Sequence, residues 1–193
     1  MLENLKRYTI VLGSNSPRRK ELLSGLDIPF TVLTFPNIDE SYPDHMNPEF
    51  VPEYIAKKKA SAYMEIMEKD TLLITADTIV WTFHEILGKP QNYQEAFRML
   101  EILSDKVHEV ITGVCITTRE KQVSFSVSAA VAFDKLTKEE IEYYLNKYKP
   151  YDKAGAYGIQ EWIGYIGVEA INGSFFTVMG LPIQRVYKEL KNF

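Results

Sequence analysis

Strand-like and helix-like patterns alternate along the chain, and this alternation constrains the fold more than any other feature of the sequence. The short apolar run Tyr8–Gly13 is typical of a buried strand, and a helical pattern begins soon after it at Pro17. The run Thr71–Val80 is strongly β-type, whereas Tyr93–Leu103 places its apolar residues at helical spacing. Interspersed elements of this kind predict an α/β protein.

Later segments add further strand patterns, which predict a mixed sheet. Val107–Thr118 and Val123–Phe133 are long β-type segments joined by a short turn, as in an antiparallel pair. Ile163–Ala170 is predicted to be another strand, and the Asn172-Gly173 step after it is a hairpin-turn signal. The remaining predicted elements are a strand over Phe30–Phe35, a loop over 36–48, and helices over Pro52–Glu68, Thr137–Asn146 and Pro182–Leu190. The second of these helices opens with a Thr-x-x-Glu pattern, Thr137 and Glu140, which predicts a capping box. No linker divides the chain, so we predict one domain over residues 1–193, and two lobes around a cleft are compatible with it.

Composition and charge exclude several classes of protein. The 193 residues are 46% hydrophobic and 12% aromatic, which rules out a disordered chain. A net charge of −4 argues against a general attraction to nucleic acid or anionic membranes. The lone cysteine, Cys115, allows no intramolecular disulfide, and the three histidines lack metal-ligand spacing. Because there is neither a secretory signal pattern nor a long apolar run, we expect a cytoplasmic protein without membrane or nucleic-acid partners.

The segment Ser14–Lys20 lies between the first strand and the first helix and is a candidate anion site. Ser16 is the expected N-cap, so Arg18, Arg19 and Lys20 fall on the first helical turn. Cations oppose the helix dipole there by roughly 0.3–1 kcal/mol each, which an anionic ligand would offset. The segment therefore favours a polyphosphate cradle. The alternative is a capped helix with solvated cations.

Two places in the sequence offer carboxylates for acid–base or metal chemistry. Asp77 interrupts an apolar strand pattern, where a buried charge is costly unless it is paired or bound to a metal. It can serve as a general base or a Mg²⁺ ligand, or it simply ends the strand. Asp39 and Glu40 in the proline-rich loop can ligate a hard cation with it, although acidic loop residues are more often only solvated.

Two lysine segments and a glycine-rich segment complete the candidates. A helix face such as Lys57–Lys59 is ordinarily solvent-facing. Lys89, between Gly88 and Pro90, can neutralise phosphate charge, and Gln160 at the end of the glycine-rich run Asp152–Gln160 can read a base edge. A plain turn between helix and strand is the alternative for that run. Together the candidates suit a metal-assisted displacement at a nucleotide polyphosphate.

Several of these segments, in this order, resemble one known family. The segments that carry the resemblance are Ser14–Leu23 (SNSPRRKELL), Ala76–Thr78, Gly88–Pro90, His108–Gly113, Asp152–Gln160 (DKAGAYGIQ) and Val178–Pro182. They are similar to those of the Maf family of nucleoside triphosphate pyrophosphatases. The resemblance implies a mixed twisted sheet with flanking helices in two lobes around a cleft, similar to the inosine triphosphatases. It also implies hydrolysis of a nucleoside triphosphate to monophosphate and pyrophosphate with Mg²⁺, Mn²⁺ or Co²⁺, and it suggests a homodimer.

The resemblance also assigns roles to individual residues. Asp77 matches the family's proton acceptor, and Glu40 matches a further polar position around the cleft. By their chemistry, Asp77 and Glu40 would bind the metal. Arg18, Thr78 and Gln160 match positions that set specificity, and they look like the dTTP/UTP-type branch. The remaining residues assigned to catalysis or substrate binding are Ser14, Arg19, Lys57 and Lys89. The alternatives are a nucleotide-binding regulator of septum formation that hydrolyses little, a nucleic-acid binder and a phosphomonoester-type enzyme.

Overall fold

The computed structural model describes residues 2–36 and 38–193 and confirms the α/β class. Its strands are β1 (Thr9–Leu12), β2 (Thr31–Val32), β3 (Thr71–Trp81), β4 (Ile86–Leu87), β5 (Val107–Thr117), β6 (Gln122–Phe133) and β7 (Val168–Asn172). Its helices are α1 (Pro17–Ser24), α2 (Val51–Tyr63), α3 (Tyr93–Leu103), α4 (Lys138–Tyr148), α5 (Trp162–Gly167), α6 (Phe175–Met179) and α7 (Ile183–Leu190). Short 3₁₀ helices cover Glu3–Arg7, Pro48–Phe50 and Ala154–Ala156. Asn37, in the loop predicted over 36–48, lies outside the described residues.

The strands form a mixed sheet in the order β2-β1-β3-β5-β6-β7, and β4 pairs with β3. β1 runs parallel to both β2 and β3, with Leu12 opposite Val32 on one side and Ile74 on the other. β3 is antiparallel to β4, and β6 is antiparallel to β7, with Val131 opposite Ile171. The prediction of a mixed sheet with helices is confirmed.

The chain divides into two compact units. The first comprises the chain up to Asp77 together with Thr112–Val127 and Gly180–Phe193. The second comprises Thr78–Ile111 and Ser128–Met179. The single domain over residues 1–193 stays a prediction. No helix among the described residues has the length and apolarity needed to cross a membrane.

In the first unit, helix α2 lies unusually close to strand β5. A Cβ added to Gly113 of β5 would lie 2.1 Å from the backbone nitrogen of Glu53, in the first turn of α2. Any side chain at this position would push the helix away, so glycine permits the close approach. The apolar face of α2 packs with Leu73 and with Cys115, which is buried in this core as its β-type surroundings indicate. The buried side chains of the same helix include Ile55, Lys59 and Tyr63.

Two sequence-based predictions in the second unit are wrong. The first part of the strand predicted over Ile163–Ala170 lies instead in helix α5 (Trp162–Gly167), and β7 covers only Val168–Asn172. The β-branched and aromatic residues suggest a strand, but Gly164 closes a tight helical turn in which a Cβ would lie 2.0 Å from the carbonyl oxygen of Ile159. The hairpin predicted at Asn172-Gly173 is also absent, because helix α6 follows instead of a second strand. Gly173, with φ of 130°, is needed there for close contact with Ala129.

Other elements differ from prediction mainly in length. Helix α3 has the predicted bounds, and the predicted capping box of Thr137 and Glu140 opens α4. The strand predicted over Phe30–Phe35 shrinks to Thr31–Val32, whose side chains are exposed. Exposed strand residues gain little from burial, which accounts for the short pairing.

Candidate active site

The start of helix α1 is held in place by two serine hydroxyls. Ser16 is the N-cap, as predicted, and its Oγ accepts a hydrogen bond from the backbone N–H of Arg19 at 3.4 Å. The Oγ of Ser14 accepts bonds from the Ser16 N–H at 3.2 Å and from Arg19 Nη1 at 3.3 Å. Because Ser14 Oγ acts as acceptor in both bonds, its own proton is available for donation to an anion. The start of α1 is therefore preorganised with donors.

Arg19 ties this helix start to the strand that carries Asp77. Its Nε donates to the Gly180 carbonyl at 2.8 Å, and its Nη1 donates to the Ala76 carbonyl at 2.9 Å. Burial lowers the pKa of the Arg19 guanidinium, the positive charge of Arg18 acts in the same direction, and the carboxylates of Asp77 and Glu40 oppose it. Arg19 thus places a fixed positive charge next to the carboxylates.

Asp77 and Glu40, both predicted as metal ligands, meet at the ammonium group of Lys59. Lys59 Nζ lies 2.7 Å from Asp77 Oδ1 and 2.9 Å from Glu40 Oε1. Lys59 and Asp77 are each 9% exposed, so this pair is largely shielded from water. Loss of Lys59 would take from Asp77 a partner in a buried ion pair, whereas loss of the Asp77 charge would leave Lys59 paired with Glu40. Asp77 lies within β3 and does not end the strand, so that alternative interpretation is wrong.

Sequence reasoning missed Lys59. The Lys57–Lys59 segment was expected to face solvent, and this expectation is wrong for its last residue. Lys59 follows buried Ile55 by four residues and precedes buried Tyr63 by four, which puts it on the inner face of α2. That spacing was a usable signal. Lys57 is exposed, and its assignment to substrate binding stays a prediction.

The neighbouring lysine, Lys58, belongs to a separate surface pair. Its Nζ lies 2.7 Å from Asp39 Oδ2. Hydrogen bonds from Lys58 and Ser41 hold the pKa of Asp39 well below its usual range. Asp39 is therefore engaged by Lys58, whereas Glu40 is engaged by Lys59.

The carboxylates at Lys59 fit a hard divalent cation. No group of three or more His, Cys, Asp or Glu side chains suited to a metal occurs among residues 2–36 and 38–193. Mg²⁺ is usually held by one or two protein carboxylates and completes its coordination with phosphate oxygens and water. Asp77 and Glu40 supply that number of carboxylates. The donor set therefore suits a metal that arrives with a phosphate ligand.

The second unit holds the other predicted site residues. Thr78 follows Asp77 directly in β3 and is half-buried, whereas Lys89 and Gln160 are exposed. The backbone N–H of Gly155 donates to the Gly88 carbonyl at 3.1 Å. This bond joins the turn that carries Lys89 to the loop that carries Gln160. The structure thus brings these two segments of the second unit together.

His108, in strand β5, is buried in an aromatic cluster in the second unit. Its Nε2 shares a hydrogen bond of 2.8 Å with the Tyr157 hydroxyl, and its ring meets Phe133 and Tyr157 edge-on. Burial lowers the pKa of His108 to about 4. Its Nδ1 is buried without a hydrogen-bond partner in the described part of the chain. Neutral imidazole in this position supports the loop before Gln160.

Lys59→Met is expected to reduce turnover of the substrate by about 10–100-fold. The variant removes the ammonium group that contacts both Asp77 and Glu40, so the two carboxylates then repel each other without it. Methionine keeps most of the side-chain length. Lys58→Met is the matched control, and it should change turnover less than about twofold because its partner is an exposed carboxylate. Steady-state kinetics and circular dichroism of both variants check this. Equal losses in Lys59→Met and Lys58→Met would contradict the role assigned to Lys59.

A separate variant, Lys57→Met, tests whether Lys57 contributes to substrate binding, which would appear as a higher KM.

Fold and site together define a mixed α/β protein in which a cationic helix start adjoins a buried carboxylate–ammonium group. Comparison with protein families identifies it further. The family model described as "Maf-like protein" matches residues 9–193. The chain belongs to the Maf-like family, as the motifs of the sequence indicate.

Relatives match over their whole lengths. A protein of Parabacteroides distasonis named "dTTP/UTP pyrophosphatase" is 67% identical over 193 residues, which is 100% of both chains. Proteins with the same name from Bacteroides thetaiotaomicron and Porphyromonas gingivalis are each 58% identical and cover 99% and 100% of this chain, and 99% and 98% of their own length. A nucleoside-triphosphatase / dITP/XTP pyrophosphatase structure from Mycobacterium abscessus matches with a TM-score of 0.35 and 12% identity, covering 66% of this chain and 75% of that chain. That likeness is too weak to carry an argument.

Proposed function

We propose that this chain hydrolyses nucleoside triphosphates, with dTTP and UTP preferred, to the nucleoside monophosphate and pyrophosphate. The observation that carries the proposal is the buried ion pair of Asp77 and Lys59. The guanidinium of Arg19 is anchored beside this pair, because it donates to the carbonyl of Ala76, the residue before Asp77. A carboxylate next to fixed cations is what water attack on a polyphosphate requires. The names of the relatives support the choice of reaction and of nucleotides.

In this proposal Asp77 accepts the proton of the attacking water. The water oxygen forms a bond to the α-phosphorus, the bond from that phosphorus to the bridging oxygen breaks, and pyrophosphate leaves with the electron pair. Lys59 orients Asp77, because its ammonium lies 2.7 Å from the carboxylate. Arg18 and Arg19 hold the triphosphate at the start of α1, with Ser14 as a further donor.

A divalent cation, Mg²⁺, Mn²⁺ or Co²⁺, is part of the proposal. Asp77 and Glu40 would hold it, and it would neutralise charge on the phosphate oxygens. Lys89 would offset the charge that develops on the leaving pyrophosphate. Lys57 keeps its predicted place as a further substrate-binding residue.

Base selection is assigned to the second unit. Gln160 carries both a donor and an acceptor, so it can pair with the polar edge of a pyrimidine, and Thr78 contacts the same base. We further propose that the protein is cytoplasmic and homodimeric, and that it removes non-standard or excess nucleotides. A regulator of septum formation would need the nucleotide site and no hydrolysis.

The proposal is tested by incubating the protein with Mg²⁺ and, separately, dTTP, UTP, CTP, GTP and ATP, and quantifying monophosphate and pyrophosphate. We expect equimolar monophosphate and pyrophosphate, fastest from dTTP and UTP. Release of inorganic phosphate in place of pyrophosphate would indicate a phosphomonoester-type reaction. Tight binding of dTTP without turnover would favour the regulator.

A further inference from the structure

Glu161 does not cap helix α5, although it occupies the N-cap position. An N-cap side chain ordinarily accepts a hydrogen bond from the first turn of its own helix. The carboxylate of Glu161 instead bonds two side chains outside the helix. Its Oε1 lies 3.0 Å from Lys153 Nζ, and its Oε2 accepts a bond from the hydroxyl of Tyr144 in α4. Glu161 therefore serves the segment before the helix, residues 153–161, which we call the glutamine loop.

The partners of Glu161 are buried and are themselves tied to the glutamine loop. Tyr144 is 0% exposed and Lys153 is 9% exposed. The Tyr144 hydroxyl accepts a bond of 3.0 Å from the backbone N–H of Gly158, in the middle of the loop. Burial raises the pKa of Tyr144, and the bond to Glu161 raises it further, so the hydroxyl stays a donor. One carboxylate thus links the beginning, the middle and the end of the loop.

The side chains of Glu161 and Lys153 pack closely against Gly158. A Cβ added there would lie 2.8 Å from Glu161 Oε2 and 3.0 Å from Lys153 Cε. The ion pair between Lys153 and Glu161 therefore lies directly against the backbone of Gly158. A side chain at this position would displace the pair.

The glutamine loop carries one candidate substrate residue and contacts the turn that carries another. Gln160 directly precedes Glu161 and is exposed. Gly155, at the other end of the loop, donates its N–H to the carbonyl of Gly88, next to Lys89. Glu161 is consequently the residue next to Gln160. Its carboxylate bonds Lys153 and Tyr144, which hold the loop that connects to the Lys89 turn.

We propose that Glu161 is a positioning residue, which fixes the direction of Gln160 and thereby sets the discrimination between pyrimidine and purine triphosphates. The inference rests on the proposed function for the identity of the ligand. Buried ion pairs add little net stability, but they define geometry. In Glu161→Gln, Lys153 retains its pair with Asp152 at 2.8 Å. The single amide oxygen replaces the two carboxylate oxygens that bond Lys153 and Tyr144, so the loop loses one of these two ties. The substitution should therefore weaken base recognition and leave the rate of the chemical step at Asp77 unchanged.

The test compares kcat and KM for dTTP and GTP in Glu161→Gln, Tyr144→Phe and a control. In Glu161→Gln we expect the ratio of kcat/KM for dTTP over GTP to fall about tenfold, through a higher KM for dTTP, with kcat within about twofold. Tyr144→Phe removes the bond to Glu161 and also the bond from the Gly158 N–H, so it should lower the ratio as well. Glu169→Gln, on exposed β7, should leave the ratio unchanged. An equal loss of kcat with both nucleotides would overturn the proposal.

A double-mutant cycle separates positioning from a general structural role. If Glu161 acts through Gln160, then Glu161→Gln should change base discrimination no further in a Gln160→Ala background. Additive losses would overturn the proposal. Equilibrium binding of dTTP and GTP is measured in parallel, so that the two proposals can fail separately. If the protein binds dTTP but releases no pyrophosphate, the proposed function is contradicted. The positioning role is then still tested by whether Glu161→Gln changes the ratio of the dissociation constants for dTTP and GTP. Wild-type protein that does not discriminate between the two nucleotides overturns the positioning role.

Discussion

Asp77→Asn is expected to lower pyrophosphate release by about 10³-fold, with nucleotide binding retained. Asparagine keeps the size of the side chain but cannot accept the proton of water at neutral pH. Lys59 retains Glu40 as a partner at 2.9 Å, so the buried ammonium is not left alone and the fold should persist. Pyrophosphate release with dTTP and Mg²⁺ measures the loss, and isothermal titration measures binding.

Metal dependence distinguishes the two roles assigned to Asp77. If the carboxylate acts only as a metal ligand, a higher Mg²⁺ concentration should restore activity to Asp77→Asn, because weaker metal binding is overcome by mass action. If it accepts the proton, activity should stay low at every Mg²⁺ concentration. Asp44→Asn, which changes an exposed loop residue, is the control and should match wild type. A variant of Asp77 that keeps more than about one tenth of wild-type turnover at the lowest Mg²⁺ concentration that saturates wild type would contradict both roles.

Local chemistry was sufficient to predict several elements from the sequence. The Ser16 cap and the capping box of Thr137 and Glu140 depend on residues within three positions of each other, and the structure confirms both. Helix α3 is also confirmed, because its apolar residues repeat at 3.6-residue spacing over three turns. In each case the deciding interactions lie within one element.

Contacts between distant residues decided what the sequence alone did not show. Lys59 is buried on α2, the helix that approaches β5 at Gly113, and its partner Asp77 is 18 residues away. The three consecutive lysines are chemically alike, and Lys59 differs from Lys57 only in lying four residues from both Ile55 and Tyr63, on the inner face of α2. The role proposed for Glu161 also depends on a residue distant in sequence, because its partner Tyr144 lies 17 residues earlier in another helix. The roles assigned to Ser14, Arg18, Arg19, Glu40, Lys57, Asp77, Thr78, Lys89 and Gln160 stay predictions until variants are measured.

Acidification is expected to destabilise the protein by about 3 kcal/mol through His108 alone. Burial lowers the pKa of this histidine from 6.5 to about 4 in the folded chain, whereas the unfolded chain keeps the ordinary value. Between these two pH values the unfolded state binds a proton that the folded state does not. The free energy of unfolding therefore falls as the pH drops from about 6.5 to about 4, and His108 contributes no further change below that.

The effect is measured by urea unfolding of wild type and His108→Gln at pH 7 and pH 4. Wild type should lose about 3 kcal/mol more between the two pH values than His108→Gln, which has no imidazole to protonate. His84→Gln, at an exposed position, should behave as wild type. Because the Tyr157 hydroxyl bonds the same imidazole and lies three residues before Gln160, protonation should disturb the glutamine loop first. Equal pH dependence in wild type and His108→Gln would show that the imidazole is hydrated in the folded chain and contributes nothing to acid sensitivity.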